Sequence, residues 1–346
     1  MPALETQLVW QDHVSLRTHF RIIALCALFS AISGCVMLER GDNRHLQPIP
    51  AALLSEMSAK GMSPSDPIMI RIHKKESELE LWKRDKTGQF ALLKTYPMCR
   101  WSGQLGPKKR EGDRQAPEGF YVVNASQLNP RSQFYLSFNL GFPNALEASL
   151  GYTGSALMVH GACTSAGCFA MTDQGIREIY SVARDALAGG QASFQVQALP
   201  FRMTAENMAR HRESPHTAFW KNLKEGVDQF EATRQPPRVA ACENRYVFNA
   251  KDGASLIPGK ACGKVEPDPD IAPLVAQYQA SQTAKFVASG SSIASSSYRL
   301  ADGGMHPSFR RVLKSVGPQG LQVATSGDVE ISRPDAALAD LYEEDR

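Results

Sequence analysis

Short apolar segments separated by turn residues fill the stretch from 67 to 199, and this pattern limits the possible folds more than any other feature. Isoleucines at 68, 70 and 72 alternate with other residues, leucines at 79 and 81 do the same, and a turn at 85–88 precedes the apolar run 90–93. A period of two is typical of β-strands with one buried face. With further strands predicted at 119–124, 156–160 and 193–199, the middle of the chain is sheet-rich.

Helical patterns flank and interrupt these strands. Apolar residues recur at helical spacing between 176 and 187, behind Thr172 as the N-cap and before two glycines at 189–190. Residues 204–231 predict two more helices, and the second has a broad apolar face that we expect to pack on the sheet domain. Beyond about 266 the periodicity is lost and 289–297 is serine-rich, so 266–346 is predicted to be a mostly disordered tail.

The N-terminus carries the pattern of an export signal. Arg17 and Arg21 precede an eleven-residue, mainly apolar run at 22–32, which is too short to span a bilayer, and small residues then lead to Cys35. Because 32–35 resembles a bacterial lipobox, we expect residues 1–35 to be a lipoprotein signal peptide and Cys35 to be acylated. The alternative is a small buried helix with an incidental cysteine. The first reading predicts a periplasmic protein with a membrane lipid anchor, on the outer membrane since Val36 is not an inner-membrane retention residue. It also predicts a tether at 36–66 with one short helix around 51–60.

The charge balance argues against one class of partner. The formal net charge is +3, from 38 basic and 35 acidic residues. A nucleic-acid-binding protein normally concentrates its basic charge. We therefore expect no nucleic-acid partner.

The segment from His160 to Met171 carries residues suited to nucleophilic chemistry. It lies between a predicted strand and a capped helix, where a tight turn can expose side chains. A cysteine such as Cys168 reacts as the thiolate, which a neighbouring imidazole or a helix N-terminus can favour. Backbone amides of 166–168 could hold an oxyanion. Two other readings stay open: zinc ligation by His160, Cys163 and Cys168 without an obvious fourth ligand, or a disulfide between Cys163 and Cys168.

Two sequence blocks resemble one enzyme family. His160-Gly161 followed by Ser165-Ala-Gly-Cys168 resembles the signature of L,D-transpeptidases of the YkuD type. The block 102–121, ending in Gly-Asp-Arg-Gln-Ala-Pro-Glu-Gly-Phe-Tyr, is similar to the YafK-like branch of that family. The resemblance covers about 67–199, and the helices through Phe230 also resemble that branch.

This resemblance implies a fold: a mostly β (α+β) catalytic domain at 67–199, built as a mixed β-sheet sandwich with one or two helices. A helical extension at 200–265 would follow it. The resemblance also implies roles for single residues. Cys168 would be the nucleophile and His160 its base, a carbonyl near Gly161 would orient the imidazole, and Ser165 and Gly167 would form the loop. No metal or other cofactor is expected.

The implied substrate is a peptidoglycan stem peptide, attacked at the carbonyl bonded to meso-diaminopimelate to give a thioester. An amine acceptor would make the enzyme a transpeptidase of cell wall biogenesis and cell shape. Water would make it a hydrolase, an L,D-endopeptidase or amidase that releases a wall-attached outer-membrane protein. A non-catalytic peptidoglycan-binding lipoprotein is the alternative from another class, and the intact His160 and Cys168 argue against it. A papain-like protease does not fit, because its motif and its cysteine-before-histidine order are absent.

The chain departs from the wider family at two points that bear on substrate choice. Ala170 stands where most members have an arginine, and the histidine and cysteine are only eight positions apart, features shared with the YafK-like branch. Asp113 and Glu118 could line the substrate groove, although loop carboxylates are more often caps or solvated charges. The basic run 108–110 could meet acidic stem peptides or be a solvated loop.

Counting predicts the pairing of the remaining cysteines. Removal of Cys26 with the signal and acylation of Cys35 leave five thiols, at 99, 163, 168, 242 and 262. An odd number is expected if one thiol is kept free for catalysis. Cys242 and Cys262 can close a loop that contains turn residues, which would add roughly 3 kcal/mol. A second bond between Cys99 and Cys163 would pin the nucleophile loop, and two separate buried thiols are its alternative.

Overall fold

The computed structural model describes residues 42–288, 293–295, 302–327 and 329–338. The predicted signal segment and Cys35 lie outside these residues. Among the described residues, no helix is both long and apolar enough to cross a bilayer.

The regular elements are numbered in chain order. The strands are β1 (Ile68–His73), β2 (Glu78–Arg84), β3 (Phe90–Pro97), β4 (Arg100–Trp101), β5 (Gly119–Asn124), β6 (Leu128–Asn129), β7 (Ser137–Asn139), β8 (Met158–His160), β9 (Phe169–Ala170), β10 (Ser193–Leu199), β11 (Val239–Cys242) and β12 (Arg245–Phe248). The helices are α1 (Ala51–Ala59), α2 (Ala145–Ser149), α3 (Asp173–Ala188), α4 (Ala205–Arg210), α5 (Thr217–Thr233), α6 (Ala272–Ala288), α7 (Pro307–Thr325) and α8 (Pro334–Ala337).

Two five-stranded sheets form the framework of the described residues. The first has the order β3-β2-β1-β10-β5, in which β1 and β10 are parallel and the other neighbours antiparallel. The second has the order β4-β9-β8-β7-β6, with β8 and β9 parallel. This architecture confirms the predicted α+β fold with mixed sheets.

One hydrophobic core joins the two sheets to helix α3. It contains Ile70 and Val196 from the first sheet, Val159 and Phe169 from the second, and Ile179 from α3, all with no exposed surface. Thr172 caps α3 by accepting a hydrogen bond from the amide of Gly175. Because α3 starts immediately after β9, its N-terminus is fixed close to the end of the second sheet.

The helical extension packs where its apolar face predicts. Trp220, Leu223 and Val227 of α5 share a cluster with Phe120 of β5 and with residues of the β11–β12 hairpin. Phe230, further along the same helix, packs against β1 and β3 residues. The face is therefore core, as its stripe of aromatic and aliphatic residues indicates.

Two predicted segment boundaries differ from the structure. Ile49, Leu53 and Met57 are buried in the main core, so the chain is packed well before the predicted end of the tether at 66. In the predicted disordered tail, α6, α7 and α8 are helical and Leu313 and Leu321 are buried. These segments gain order from tertiary burial, which a local periodicity argument does not register.

Candidate functional site

The parallel pair β8–β9 brings Cys168 and His160 to one face of the second sheet. Val159 pairs with Phe169 and His160 with Ala170, so Cys168, one residue before β9, is level with Met158. Side chains two apart on a strand share a face, and residues in register on neighbouring strands do too. The predicted nucleophile and base therefore share one face of the sheet, on adjacent strands and two register positions apart.

The Cys168 thiol is held by two backbone groups, one at the start of β8 and one just before it. Its Sγ accepts a hydrogen bond from the Met158 amide at 3.4 Å and donates to the Ala156 carbonyl at 3.6 Å. Cys168 is the free cysteine among the described residues. Burial raises the pKa of the thiol, against the opposing effects of the Met158 hydrogen bond and of the positive charge of Lys108.

The His160 imidazole is fixed by its own neighbour and covered by an aromatic ring. Its Nδ1 donates to the Gly161 carbonyl at 2.6 Å, which leaves Nε2 as the lone-pair nitrogen. The Phe134 ring lies 4.7 Å from the imidazole, centroid to centroid. Burial lowers the pKa of His160 to about 4, although the Gly161 bond opposes this shift. At neutral pH the imidazole is therefore uncharged and able to accept a proton.

The Ser165 hydroxyl makes several of the hydrogen bonds within the nucleophile loop, which we define as residues 161–168. Its Oγ accepts from the amides of Gly167 and Cys168 at 3.3 and 3.1 Å and donates to the Cys168 carbonyl at 2.7 Å. The Ser102 hydroxyl lies 3.1 Å from the same Oγ. The structure thus differs from the predicted oxyanion site, because two of the three proposed donor amides are bound inside the loop.

The backbone of this loop needs its glycines. A Cβ on Gly161 would lie 2.6 Å from Asp173 Oδ1 and 3.0 Å from the Phe134 carbonyl, and Gly167 has a φ of +135°. Ala162 and Cys163 also have positive φ, at 66° and 46°. Non-glycine residues in that region are concentrated at functional loops.

Two disulfides join the four cysteines that the sequence analysis expects to pair. Cys99 is bonded to Cys163 and Cys242 to Cys262. Cys163 is therefore neither a partner of Cys168 nor a thiolate ligand, so the zinc and Cys163–Cys168 readings do not describe this structure. Among the described residues, no cluster of histidine, cysteine and carboxylate side chains is arranged to hold a metal ion.

The prediction that Glu118 lines a substrate groove is wrong. Its side chain is fully buried, with Oε1 2.9 Å from Lys74 Nζ and Oε2 accepting from the Trp220 indole at 2.8 Å. Lys74 also donates to the carbonyls of residues 104, 106 and 116. A carboxylate with these partners holds the block 102–121 to the first sheet and to α5.

Asp113 organises a loop within this block. It accepts from Lys108 Nζ at 2.5 Å and from the amides of residues 109, 110 and 115. These donors lower the pKa of Asp113 although partial burial opposes them. Contact of Asp113 with a substrate stays a prediction. Lys108 is buried and lowers the pKa of the Cys168 thiol, so the reading of 108–110 as a solvated basic loop does not apply to it.

Sequence reasoning missed residues whose position depends on distant contacts. Phe134, against the imidazole, has no motif around it, and Ala156 and Met158 act through backbone groups that any residue type supplies. In the sequence, Lys108 is one of three consecutive basic residues. Its burial is the distinguishing feature, and no local pattern reports it.

The chain is similar in sequence to a known enzyme family. Residues 67–189 match the family model for the YkuD L,D-transpeptidase catalytic domain. Two curated proteins, from Escherichia coli strains K12 and O157:H7, are named as L,D-transpeptidases of the YafK type. Each is 50% identical to this chain over 184 residues, which is 53% of this chain and 74% of the relative. The crystal structure of a mutant of the helical cell shape determining protein Pgp2 from Campylobacter jejuni has a TM-score of 0.33 and 20% identity, over 55% of this chain and 64% of that one.

Proposed function

We propose that this chain, which belongs to the L,D-transpeptidase family of the YkuD type, uses Cys168 as a nucleophile to transfer an acyl group from a peptidoglycan stem peptide. The observation that carries the proposal is the pairing of β8 with β9. This pairing places Cys168, the only free thiol of the described residues, on the same face of the sheet as the neutral imidazole of His160. The Nδ1 proton of that imidazole is bound to the Gly161 carbonyl.

The reaction follows from these two groups. His160 Nε2 takes the proton of the Cys168 thiol as the sulfur bonds to the carbonyl carbon linked to meso-diaminopimelate. The carbon–nitrogen bond then breaks, and the proton passes from His160 to the departing amine, which leaves a thioester. An amine acceptor gives up its proton to His160, bonds to the same carbon and releases the thiol.

The electrostatic setting supports a base-assisted attack. Burial raises the pKa of the Cys168 thiol and lowers that of His160, so both groups rest uncharged at pH 7. The cation of Lys108 favours the thiolate as it forms. Charge therefore develops on Cys168 and His160 only as the proton moves from one to the other.

Product analysis of peptidoglycan tests this function. We expect the full chain, incubated with purified sacculi and a D-amino acid, to give stem peptides that carry the added amino acid, as read by mass spectrometry of muropeptides. Cys168→Ala should give none. Products with water added instead would assign the chain to hydrolysis, and no change in the muropeptides of either kind would contradict the proposal.

We also propose, from the lipobox-like sequence alone, that Cys35 carries the lipid anchor and that the enzyme acts in the periplasm on the outer membrane. Two or more acyl chains give stable anchoring. Mass spectrometry of the mature N-terminal peptide from cells should find an acylated Cys35. An unmodified N-terminal peptide in the soluble periplasmic fraction would contradict the anchor without bearing on the chemistry.

A further inference from the structure

A C-terminal segment lies along the edge of the sheet that carries the site. We call residues 302–327 and 329–338 the C-terminal clasp. Gly304 and Trp101 of β4 exchange both backbone hydrogen bonds at 3.0 Å, and the His306 amide donates to the Met98 carbonyl at 3.0 Å. The clasp thereby pairs with a strand edge that would otherwise present free backbone groups.

One side chain of the clasp reaches the nucleophile loop directly. Ser332 Oγ accepts from the Ser165 amide at 3.1 Å and donates to the Ser165 carbonyl at 2.9 Å. The Ser332 amide donates to Thr164 Oγ1 at 3.0 Å. Three hydrogen bonds therefore join one residue of the clasp to two consecutive residues of the loop.

These contacts continue to the nucleophile through one residue. Ser165, whose amide and carbonyl Ser332 holds, binds the amide and the carbonyl of Cys168 with its own hydroxyl. The path from Ser332 to Cys168 thus contains only Ser165. A shift of the Ser165 backbone changes where its hydroxyl places Cys168.

The clasp also holds the loop on the other side of the nucleophile. Asp302 Oδ1 accepts from the Gly103 amide at 2.8 Å, and Oδ2 lies 3.3 Å from Arg114 Nη2. A Cβ on Gly167 would lie 3.7 Å from the Gln115 carbonyl, so the loop 102–116 borders the nucleophile loop there. Asp302 and Ser332 therefore connect one segment to both loops.

Apolar packing anchors the clasp beside the disulfide of the nucleophile loop. Met305, Leu313, Leu321 and Ile331 are buried in one cluster with Cys99 and Cys163. A buried cluster of this kind fixes the segment without using the polar groups that face the loops. Ser332 and Asp302 thus make their hydrogen bonds from a segment that is anchored by apolar packing.

We propose that the C-terminal clasp is a positioning element for catalysis and that Ser332 is its positioning residue for Cys168. The proposal rests on the proposed role of Cys168 as nucleophile. The Ser332 side chain touches the loop backbone and not the thiol, so its loss affects the alignment of attack more than substrate binding. The expected signature is a lower kcat with a nearly unchanged KM.

Three substitutions in the full chain test this role. Ser332→Ala should lower kcat for muropeptide turnover about tenfold with KM within about twofold, because small misalignment of reacting groups is costly. It should also speed hydrogen exchange in the peptide that contains 163–168. Ser332→Thr keeps the hydroxyl and should restore both values. Ser315→Ala is the matched control, since Ser315 is an exposed clasp serine that bonds only the Val312 carbonyl.

The two measurements separate this proposal from the proposed function. Support requires that Ser332→Ala alone lowers kcat and speeds exchange. Wild-type kcat or wild-type exchange in Ser332→Ala, or an equal loss of kcat in Ser315→Ala, would overturn the positioning role. If the wild-type chain turns over no muropeptide, the proposed function fails, and the exchange rates alone then decide whether Ser332 holds the loop.

Discussion

At the scale of single residues, Cys168 and His160 do not form a thiolate–imidazolium ion pair in the resting site. Cys168 and His160 lie on one face of the sheet, but burial disfavours the charged form of each, and the Gly161 carbonyl fixes which imidazole nitrogen can accept a proton. A cysteine enzyme with a resting thiolate–imidazolium pair would have the opposite shifts. This difference can be measured without any substrate.

The rate at which iodoacetamide alkylates Cys168 should follow the thiolate fraction of a raised pKa. Because deprotonation increases up to the pKa of the thiol, we expect the rate to keep rising beyond pH 9, whereas glutathione with its ordinary thiol levels off earlier. Mass spectrometry of the Cys168 peptide gives the alkylation rates, and a fast plateau between pH 5 and 8 would instead reveal an ion pair.

Catalysis should persist in mild acid and fall as pH drops through about 4, where His160 becomes protonated.

Lys108 offers a second test of the electrostatics at the residue scale. Its charge lowers the pKa of the Cys168 thiol, so Lys108→Met should move the alkylation profile to higher pH and reduce kcat/KM at pH 7. Lys109→Met is the matched control, because Lys109 is adjacent but exposed. A Lys108 variant whose profile coincides with that of the control would show that the charge does not reach the thiol.

At the scale of elements, the local sequence pattern predicts a strand or helix correctly where that element buries one regular face. The strand predicted at 193–199 and the helix capped by Thr172 appear with those limits. The clasp was missed for a physical reason. Leu313 and Leu321 flank a break at Gly317-Pro318, and the surface that they cover is supplied by residues about 200 positions upstream. No window of neighbouring residues contains that information.

Glu118 is part of the family-like sequence block, but its contacts join secondary-structure elements and do not face the candidate active site. Replacing one partner of a buried ion pair leaves the other without compensation, so Glu118→Gln should destabilise the fold by about 3–5 kcal/mol. Chemical denaturation measures this loss, and Glu111→Gln, in the same block but exposed, should change little. Activity per folded molecule should be retained. Normal stability with a raised KM would return Glu118 to the groove.

At the scale of the whole molecule, the site is assembled from three distant parts of the chain. The second sheet supplies Cys168 and His160, the block 102–121 borders them and carries Lys108, and the clasp ties both together through Asp302 and Ser332. The motif alone predicts the first part, since its residues are close in sequence. The other two depend on tertiary contacts, so no local pattern in the sequence predicts the burial of Glu118 or the contact of Ser332 with the loop.

The most direct test of the whole account is to capture the thioester. The full chain is mixed with a purified tetrapeptide-stem muropeptide, quenched in acid and analysed by peptide mass spectrometry. We expect an added mass on Cys168 equal to the mass of the muropeptide minus that of its released terminal amino acid. This adduct should be absent from Cys168→Ala and slower to form in His160→Gln by about 100-fold or more. Product formed by the wild-type chain with no adduct on Cys168, or with the adduct on another residue, would contradict it.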